Sequence, residues 1–410
     1  METKKPDNFR TWVEIDTFAL RHNFLQLAKL IGPHCRFMAV VKSNAYGHGL
    51  VQVAKQLANY QLPVTSNQLP VTKLWFGVDS IVEALRLREH RIKNPILVLG
   101  STLPERMREA VKHNITLTVS NFESLSALAK LRQKPAFHIK IDSGMHRQGF
   151  LPEDMFRLIK FLKRLKLMPA GVYTHFAAAK DRLYPISTLK QFQNFKGVLG
   201  DLERAGLSNK GAMPAGKRGS ASGGKNLIIH AAASGGTILL PETHLDMVRV
   251  GMALWGHWPS EEARLNIASG KFGLPRLTLR PILSWKTRIA EIKKIPAGSA
   301  VGYDLSECVR RKSAIAILPI GYWHGFDRGL SSLGYILVRG RKAKVIGRVS
   351  MDMTVCDVTN IPGVRVGDTA VIIGRQSREK VTAEEMARSL GTSPYEVLTR
   401  INPLIERIYK

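Results

Sequence analysis

Short apolar runs alternate with longer stretches of helical spacing over the first two thirds of the chain. The runs Phe37–Val41, Lys73–Val78, Pro95–Leu99, Leu117–Ser120, Ala136–Asp142, Ala170–Thr174, Leu227–Ala231 and Asp246–Gly251 predict strands. Amphipathic stretches lie between most of them. Ser80–Arg88 has a serine positioned as a cap ahead of apolar residues at helical spacing, and Met155–Leu165 has the same spacing. Repeating βα units alone allow an open doubly wound sheet. The count of eight strands, and the polar residues placed just after the strand ends, favour a (β/α)8 barrel.

After about residue 270 the texture changes. Short β-rich runs at Ser284–Glu291, Ala314–Pro319, Tyr335–Val338, Ala343–Ile346, Thr354–Val358 and Thr369–Ile373, punctuated by Gly and Pro, predict a compact, mostly-β domain. A helix capped by threonine follows at Thr382–Leu390. The expected division is a barrel over 1–270 and a β domain over 271–410, with the first residues packing with the C-terminal domain. Two segments read as insertions. Gln61–Thr65 is duplicated as Gln68–Thr72, and Asn209–Asn226 is a Gly-, Ala- and Ser-rich basic loop.

Composition narrows the class. At 410 residues and 44% apolar content the chain has ample material for two cores. No apolar run is long enough to span a bilayer, and the N-terminus leads into no apolar signal region, so a cytoplasmic protein is expected. Cys35, Cys308 and Cys356 lack metal-ligand spacing and suit a reducing compartment; no metal is expected. The net charge of +29 invites a nucleic-acid reading. The charges are scattered, however, with no aromatic-interleaved basic stripe, so a solvated surface is expected and no specific nucleic acid.

Chemistry concentrates at Lys42. It follows an apolar run and precedes Ser43-Asn-Ala-Tyr-Gly-His-Gly49, a loop able to approach a ligand. Burial at a strand end disfavours an ammonium, and a neutral amine is what condenses with an aldehyde cofactor. Further polar clusters fall at expected strand ends: Ile139–Arg147, Tyr173–His175, His230–Gly236 and Met247–Met252. Small residues in the last two would let backbone N–H groups approach a phosphate.

On these motifs the chain resembles the alanine racemases, fold type III enzymes that use pyridoxal 5′-phosphate (PLP). The resemblance covers nearly the whole chain apart from the inserted loops. Val40-Val-Lys-Ser-Asn-Ala-Tyr-Gly-His-Gly49 is similar to the family's PLP-lysine motif and implies Lys42 as the residue carrying the cofactor. Asp246-Met-Val-Arg-Val-Gly-Met252 resembles the eighth-strand motif and implies Arg249 as partner of the pyridine nitrogen. Ala300-Val-Gly-Tyr-Asp304 resembles the segment with the second base, Tyr303; Leu318–Gly325 and Gly347–Asp352 resemble signatures that put Tyr322 and the Met351 backbone near the substrate carboxylate. The resemblance also implies Arg147 at the cofactor's phenolic oxygen and near the substrate carboxylate, His175 with Arg249 in a supporting network, and Tyr46, Ser234, Gly251 and Met252 as the phosphate cradle. Lys140 matches a position that can carry a carbamate. The chain departs from the family's pattern at Ala233, Trp255 and Pro403.

The implied activity is interconversion of L- and D-alanine, supplying D-alanine for peptidoglycan, by a homodimer in which Tyr303 of one subunit faces Lys42 of the other. Racemisation needs one base on each face of the α-carbon. The resemblance gives Lys42 the D-alanine face and Tyr303 the L-alanine face. An arginine at the pyridine nitrogen cannot readily give up a proton, so that nitrogen stays neutral and the ring is a weaker electron sink. Three alternatives stay open. Trp255 and Trp323 allow a racemase of broader specificity. A decarboxylase of the same fold would need an acidic partner at the pyridine nitrogen. A non-catalytic PLP carrier would resemble the barrel alone.

Overall fold

The computed structural model describes residues 8–60, 74–180, 186–208, 227–270 and 273–410. The duplicated pentapeptide and the Asn209–Asn226 loop lie outside the described residues. The chain divides into two compact units: Ala19–Ser43 with Leu50–Pro281, and Met1–Phe18 with Asn44–Gly49 and Ile282–Lys410.

Strands are numbered in chain order. β1 (Thr11–Ile15) belongs to the β-rich unit. The next eight build the barrel: β2 (Arg36–Val40), β3 (Trp75–Val78), β4 (Ile96–Val98), β5 (Thr116–Val119), β6 (Phe137–Lys140), β7 (Gly171–Tyr173), β8 (Ile228–His230) and β9 (Met247–Val250). All neighbours pair in parallel, in the order β8-β7-β6-β5-β4-β3-β2-β9. Two backbone bonds close the remaining seam, Asp246 N–H to Ile229 C=O at 2.9 Å and Arg249 N–H to Ala232 C=O at 3.0 Å. The strands are buried on both faces, which is why they read as unbroken apolar runs in sequence. Met38, Trp75, Leu97 and Met247 pack together as one core cluster.

The flanking helices form as their spacing dictates. In the helix Ile81–Glu89, Ser80 Oγ accepts the Glu83 N–H at 3.4 Å as N-cap. In Met155–Arg164, Met155, Leu158 and Leu162 turn inward while Lys160, Lys163 and Arg164 stay exposed, one share of the solvated positive charge.

The β-rich unit holds β10 (Leu283–Arg288), β11 (Glu291–Ile295), β12 (Ala300–Val301), β13 (Glu307–Cys308), β14 (Ser313–Leu318), β15 (Tyr335–Val338), β16 (Arg341–Lys344), β17 (Thr354–Asp357), β18 (Thr369–Gln376), β19 (Glu379–Val381) and β20 (Glu406–Tyr409). The main sheet runs β16-β15-β18-β10-β1-β20, with β19 on β18; β11-β14-β17 and β12-β13 form two smaller sheets. Two expectations shift here. The run Ser284–Glu291 breaks into β10 and β11, which join different sheets. The strand expected at Ala343–Ile346 begins earlier, at Arg341, because Arg339 (φ 48°) and Gly340 (φ 76°) make a two-residue turn with both φ positive, which fixes the hairpin register.

Within this sheet Glu14 receives Lys286 Nζ and Lys410 Nζ, each at 2.8 Å, and Trp12 Nε1–H at 3.0 Å. Burial would push its carboxyl up, but these three donors outweigh burial and hold it at about 2, against 4.5 when unpaired. Its contribution to stability is therefore complete above pH 4.5 and disappears as the pH falls towards 2. Glu14→Gln should cost about 2 kcal/mol near neutrality. Thermal unfolding across pH should show parent and variant converging in acid; a gap independent of pH would contradict the assignment.

Candidate active site

Lys42 stands just beyond β2, after Val41 has donated its N–H to Gly77 C=O at 2.8 Å. The turn it opens, Lys42–Tyr46, is unusual: Ser43, Asn44, Ala45 and Tyr46 all have φ between 52° and 55°. Each such residue other than glycine costs about 1–2 kcal/mol, so the conformation persists only where surrounding bonds over-determine it. In the β-rich unit those bonds are visible. Gly47 N–H and Gly49 N–H both donate to Asn44 C=O, at 3.1 and 2.9 Å, and His48 N–H donates to Ala45 C=O at 3.1 Å. Tyr409 O–H donates to His48 C=O at 2.8 Å, and Arg407 Nε–H to Gly47 C=O at 3.1 Å. A Cβ on Gly47 would stand 2.2 Å from Leu398 O, and one on Gly49 would stand 2.0 Å from Tyr409 Oη. Both positions need glycine for want of space, and the C-terminal residues hold the loop carrying Tyr46.

At the barrel mouth Lys42 Nζ meets Asp79 Oδ1 at 3.4 Å, with both side chains partly exposed. The second predicted strand, Lys73–Val78, is β3, and Asp79 was not among the expected site residues. The signal was present, because Asp79 is the polar residue just after a strand end.

The loop after β6 is folded around Asp142. Its Oδ1 accepts the N–H groups of Gly144, Met145 and His146 at 2.8–3.0 Å, and its Oδ2 accepts that of Arg147 at 2.7 Å. Burial raises this carboxyl, and the backbone donors more than cancel that, holding it below its ordinary value. Asp142 thereby sets the backbone that carries Arg147. Lys140 is not paired with it: Lys140 Nζ donates to Gln148 Oε1 at 3.0 Å. Burial, with the charges of Arg147 and Arg249, pulls the Lys140 ammonium down to about 8, against a smaller opposing pull from Asp142.

Arg249, on β9, is buried, with no carboxylate among its hydrogen-bond partners in the described residues. Its Nη1 bonds His230 Nδ1 at 2.9 Å; its Nη2 bonds Thr174 O at 2.7 Å, Ala231 O at 2.9 Å and His175 Nδ1 at 3.1 Å. Burial draws Arg249 down to about 10, leaving it protonated at neutrality. A guanidinium only donates, so Nδ1 of His175 and of His230 must be bare. Burial first, then the Arg249 charge, drives both imidazoles well below their ordinary range, so each is neutral with its proton on Nε2. His230 Nε2–H then donates to His138 Nδ1 at 2.9 Å, and His138 is held down at about 3 by burial and the same charge. Of the pair His175 and Arg249, only Arg249 is cationic. The role of His138 inside β6 was invisible in sequence, since it depends on the pairing of β6, β7 and β8.

Ser234 starts the short helix Ser234–Leu239, and its Oγ accepts Gly251 N–H at 3.1 Å and Ala253 N–H at 3.4 Å. Gly251 and Met252 are buried beside it in sequence after β9. The barrel unit thus gathers Lys42, Arg147, His175, Ser234, Arg249, Gly251 and Met252 at the carboxyl ends of β2, β6, β7, β8 and β9. Trp255 is fully buried.

The β-rich unit gathers the rest. Tyr303, Tyr322, Arg348, Ser350 and Met351 line one open groove. Tyr303 is 70% exposed, on a turn with Gly302, Asp304 and Leu305 at φ 78°, 61° and 50°. Asp304 Oδ2 pairs with Arg348 Nε at 2.6 Å. Tyr322 N–H donates to Ser350 C=O and Trp323 N–H to Met351 C=O, both at 3.0 Å, which ties the two motifs together. Tyr46 belongs to this unit's Asn44–Gly49 loop, its ring 6.0 Å from that of Tyr395.

A family model described as the alanine racemase N-terminal domain matches residues 15–216, and one for the alanine racemase C-terminal domain matches residues 282–409. An alanine racemase of Leptospira interrogans is 36% identical over 404 residues, covering 98% of this chain and 96% of that protein. Alanine racemase 1 of Caldanaerobacter subterraneus is 36% identical over 407 residues, covering 97% and 94%. Among solved structures, the alanine racemase of Clostridium difficile superposes with a TM-score of 0.83 at 32% identity, covering 98% of this chain and 96% of that one. The Bacillus anthracis alanine racemase with bound L-Ala-P gives a TM-score of 0.83 at 31% identity, covering 99% and 96%.

Proposed function

The chain belongs to the alanine racemase family, enzymes that interconvert L- and D-alanine, and from that premise we propose that it works with PLP held at the barrel mouth of a homodimer. The observation that carries the cofactor reading is Arg249. A guanidinium has five N–H donors; the two on Nη2 are shared among Thr174, Ala231 and His175, and one on Nη1 goes to His230, which leaves the second Nη1 hydrogen and the Nε–H for a neutral ring nitrogen. The residues present fit PLP in two further respects. Lys42 offers an amine, and Ser234, whose Oγ accepts the Gly251 N–H and keeps its own O–H to donate, would with the Met252 backbone offer a phosphate cradle. Bound there, PLP would draw electrons from the substrate's α-carbon and acidify its α-proton.

The protein's own groups then divide the work. Lys42 Nζ exchanges the proton on the D-alanine face, and the phenol oxygen of Tyr303 of the partner subunit exchanges it on the L-alanine face. Arg147 steadies the cofactor's phenolic oxygen and the substrate carboxylate, on a loop that Asp142 pre-folds. Tyr46 adds to the phosphate cradle. Tyr322 and the Met351 backbone receive the carboxylate from the second side. Arg249 keeps its proton, so it could only donate to a neutral ring nitrogen, which would favour proton return over side reactions. His175 and His230 lock Arg249 by offering only bare Nδ1 atoms.

Support for shared sites comes from exposure. Tyr303 and Met351, which line the groove, are 70% and 55% exposed, and Trp323 is 57% exposed; a second subunit over such apolar groups would relieve that exposure. No helix among the described residues is long and apolar enough to cross a membrane. We assign the reaction to the cytoplasm and its product to peptidoglycan. Purified protein with PLP and L-alanine should approach an equal mixture of enantiomers in a chiral assay. Absence of D-alanine would overturn the reading, and parallel incubations with L-serine and L-lysine set its breadth.

A further inference from the structure

The contact between Lys42 and Asp79 follows from strand register. β2 and β3 pair with Met38 opposite Trp75, Ala39 opposite Phe76 and Val40 opposite Gly77. Two residues further along each strand stand Lys42 and Asp79, whose charged atoms are 3.4 Å apart. The backbone of Asp79 is pinned on both sides: its N–H donates to Glu83 Oε2 at 2.8 Å, and its C=O accepts Gly100 N–H at 3.0 Å. The carboxylate is thus presented by a fixed strand end rather than by a loose loop.

The charges around Lys42 make this acid matter. Lys140 and Arg147 from β6 and its loop, and Arg249 from β9, act with Lys42 on His175 from β7, which is itself neutral. Cations therefore crowd the mouth. The other nearby carboxylate, Asp142, is committed to four backbone N–H groups. Asp79 is the carboxylate that touches Lys42.

We propose that Asp79 is a further catalytic residue, which stabilises the ammonium form of Lys42 against the surrounding cations. The inference deepens the reading of Lys42 as cofactor-bearing base and rests on it. It has two consequences of opposite sign. Attachment of the PLP aldehyde consumes the free amine and releases water, so the ammonium must first lose a proton to solvent, and Asp79 slows loading. When Lys42 takes the α-proton from D-alanine, the Cα–H bond breaks, its electron pair stays on the α-carbon, and a new N–H bond forms on Nζ. The Asp79 carboxylate lies against that new ammonium and favours the transfer. It accepts no proton itself.

The test uses the full-length protein freed of PLP, with the Asp79→Asn, Asp79→Ala and Asp79→Glu variants. The side chain is more than half exposed, so these variants keep the fold. Modification of Lys42 by an amine-selective reagent is followed against pH by mass spectrometry of its peptide. The midpoint should fall by about half a pH unit in the Asn and Ala variants, the size expected of an exposed ion pair. PLP should then load about threefold faster at fixed pH below the midpoint. Glu should restore the parent midpoint. In the reloaded enzymes the α-deuterium isotope effect on kcat should grow with D-alanine and stay constant with L-alanine. An unmoved midpoint in both the Asn and Ala variants overturns the proposal. Failure of the underlying reading looks different: in the parent protein, borohydride would fix PLP at a residue other than Lys42.

Discussion

Lys42→Ala is expected to yield a folded, colourless protein that cannot retain PLP and racemises alanine at least about four orders of magnitude more slowly. The expected size comes from the two roles proposed for this one amine, cofactor attachment and proton exchange on the D-alanine face. The neighbouring amine cannot take over. Lys140 is largely buried and bound to Gln148 at 3.0 Å, and its half-neutral point near 8 is set by burial among cations rather than by access to a ligand. Folding should survive, since Lys42 is partly exposed and its pair with Asp79 contributes under about 1 kcal/mol. The checks are the visible spectrum with PLP, borohydride trapping with peptide mapping, a chiral assay and the melting temperature. Yellow protein with PLP trapped elsewhere would sink the assignment, whatever the activity. A collapsed melting temperature would instead show that Lys42 serves the fold.

What made Lys42 legible is the physics of a parallel barrel. Strands buried on both faces leave continuous apolar runs, so each strand and the polar residue after it stand out, and β2 through β9 came within a residue or two of expectation. The β-rich unit was harder. β1 pairs with β20 and with β10 across most of the chain's length, and the sequences of β1 and β20, Thr-Trp-Val-Glu-Ile and Glu-Arg-Ile-Tyr, carry charges that hide a strand. Nothing in Ser43-Asn-Ala-Tyr announces four left-handed residues, because the tethers on their loop come from Arg407 and Tyr409. The neutral histidine chain was unreadable for the same reason. The tautomers of His175, His230 and His138 follow from which atoms Arg249 reaches, and only the folded barrel decides that. Asp79 is the exception: the strand-end rule that marked Lys42 applied to it equally.

Tyr303→Phe should keep the PLP colour and lose about three to four orders of magnitude in racemisation, because one face of the α-carbon is left without a proton-exchanging group. The substitution removes a single oxygen from a side chain 70% exposed within its own chain, so neither the turn around Gly302 nor the Asp304–Arg348 pair should move. Retained colour separates this variant from Lys42→Ala, in which colour and activity vanish together. The two variants also test how the sites are assembled. If each site joins Lys42 of one subunit to Tyr303 of the partner subunit, a mixed dimer of Lys42→Ala with Tyr303→Phe contains one site with both groups and one with neither. Dissociating and reassociating equal amounts of the two inactive proteins should then restore about a quarter of parental activity, since about half of randomly paired dimers are mixed and each carries one working site. Sites complete within one chain would give no recovery, because every subunit would lack one of the two groups. Recovery without Tyr303 dependence, or full activity in Tyr303→Phe alone, would remove the phenol from the chemistry and leave Lys42 to serve both faces.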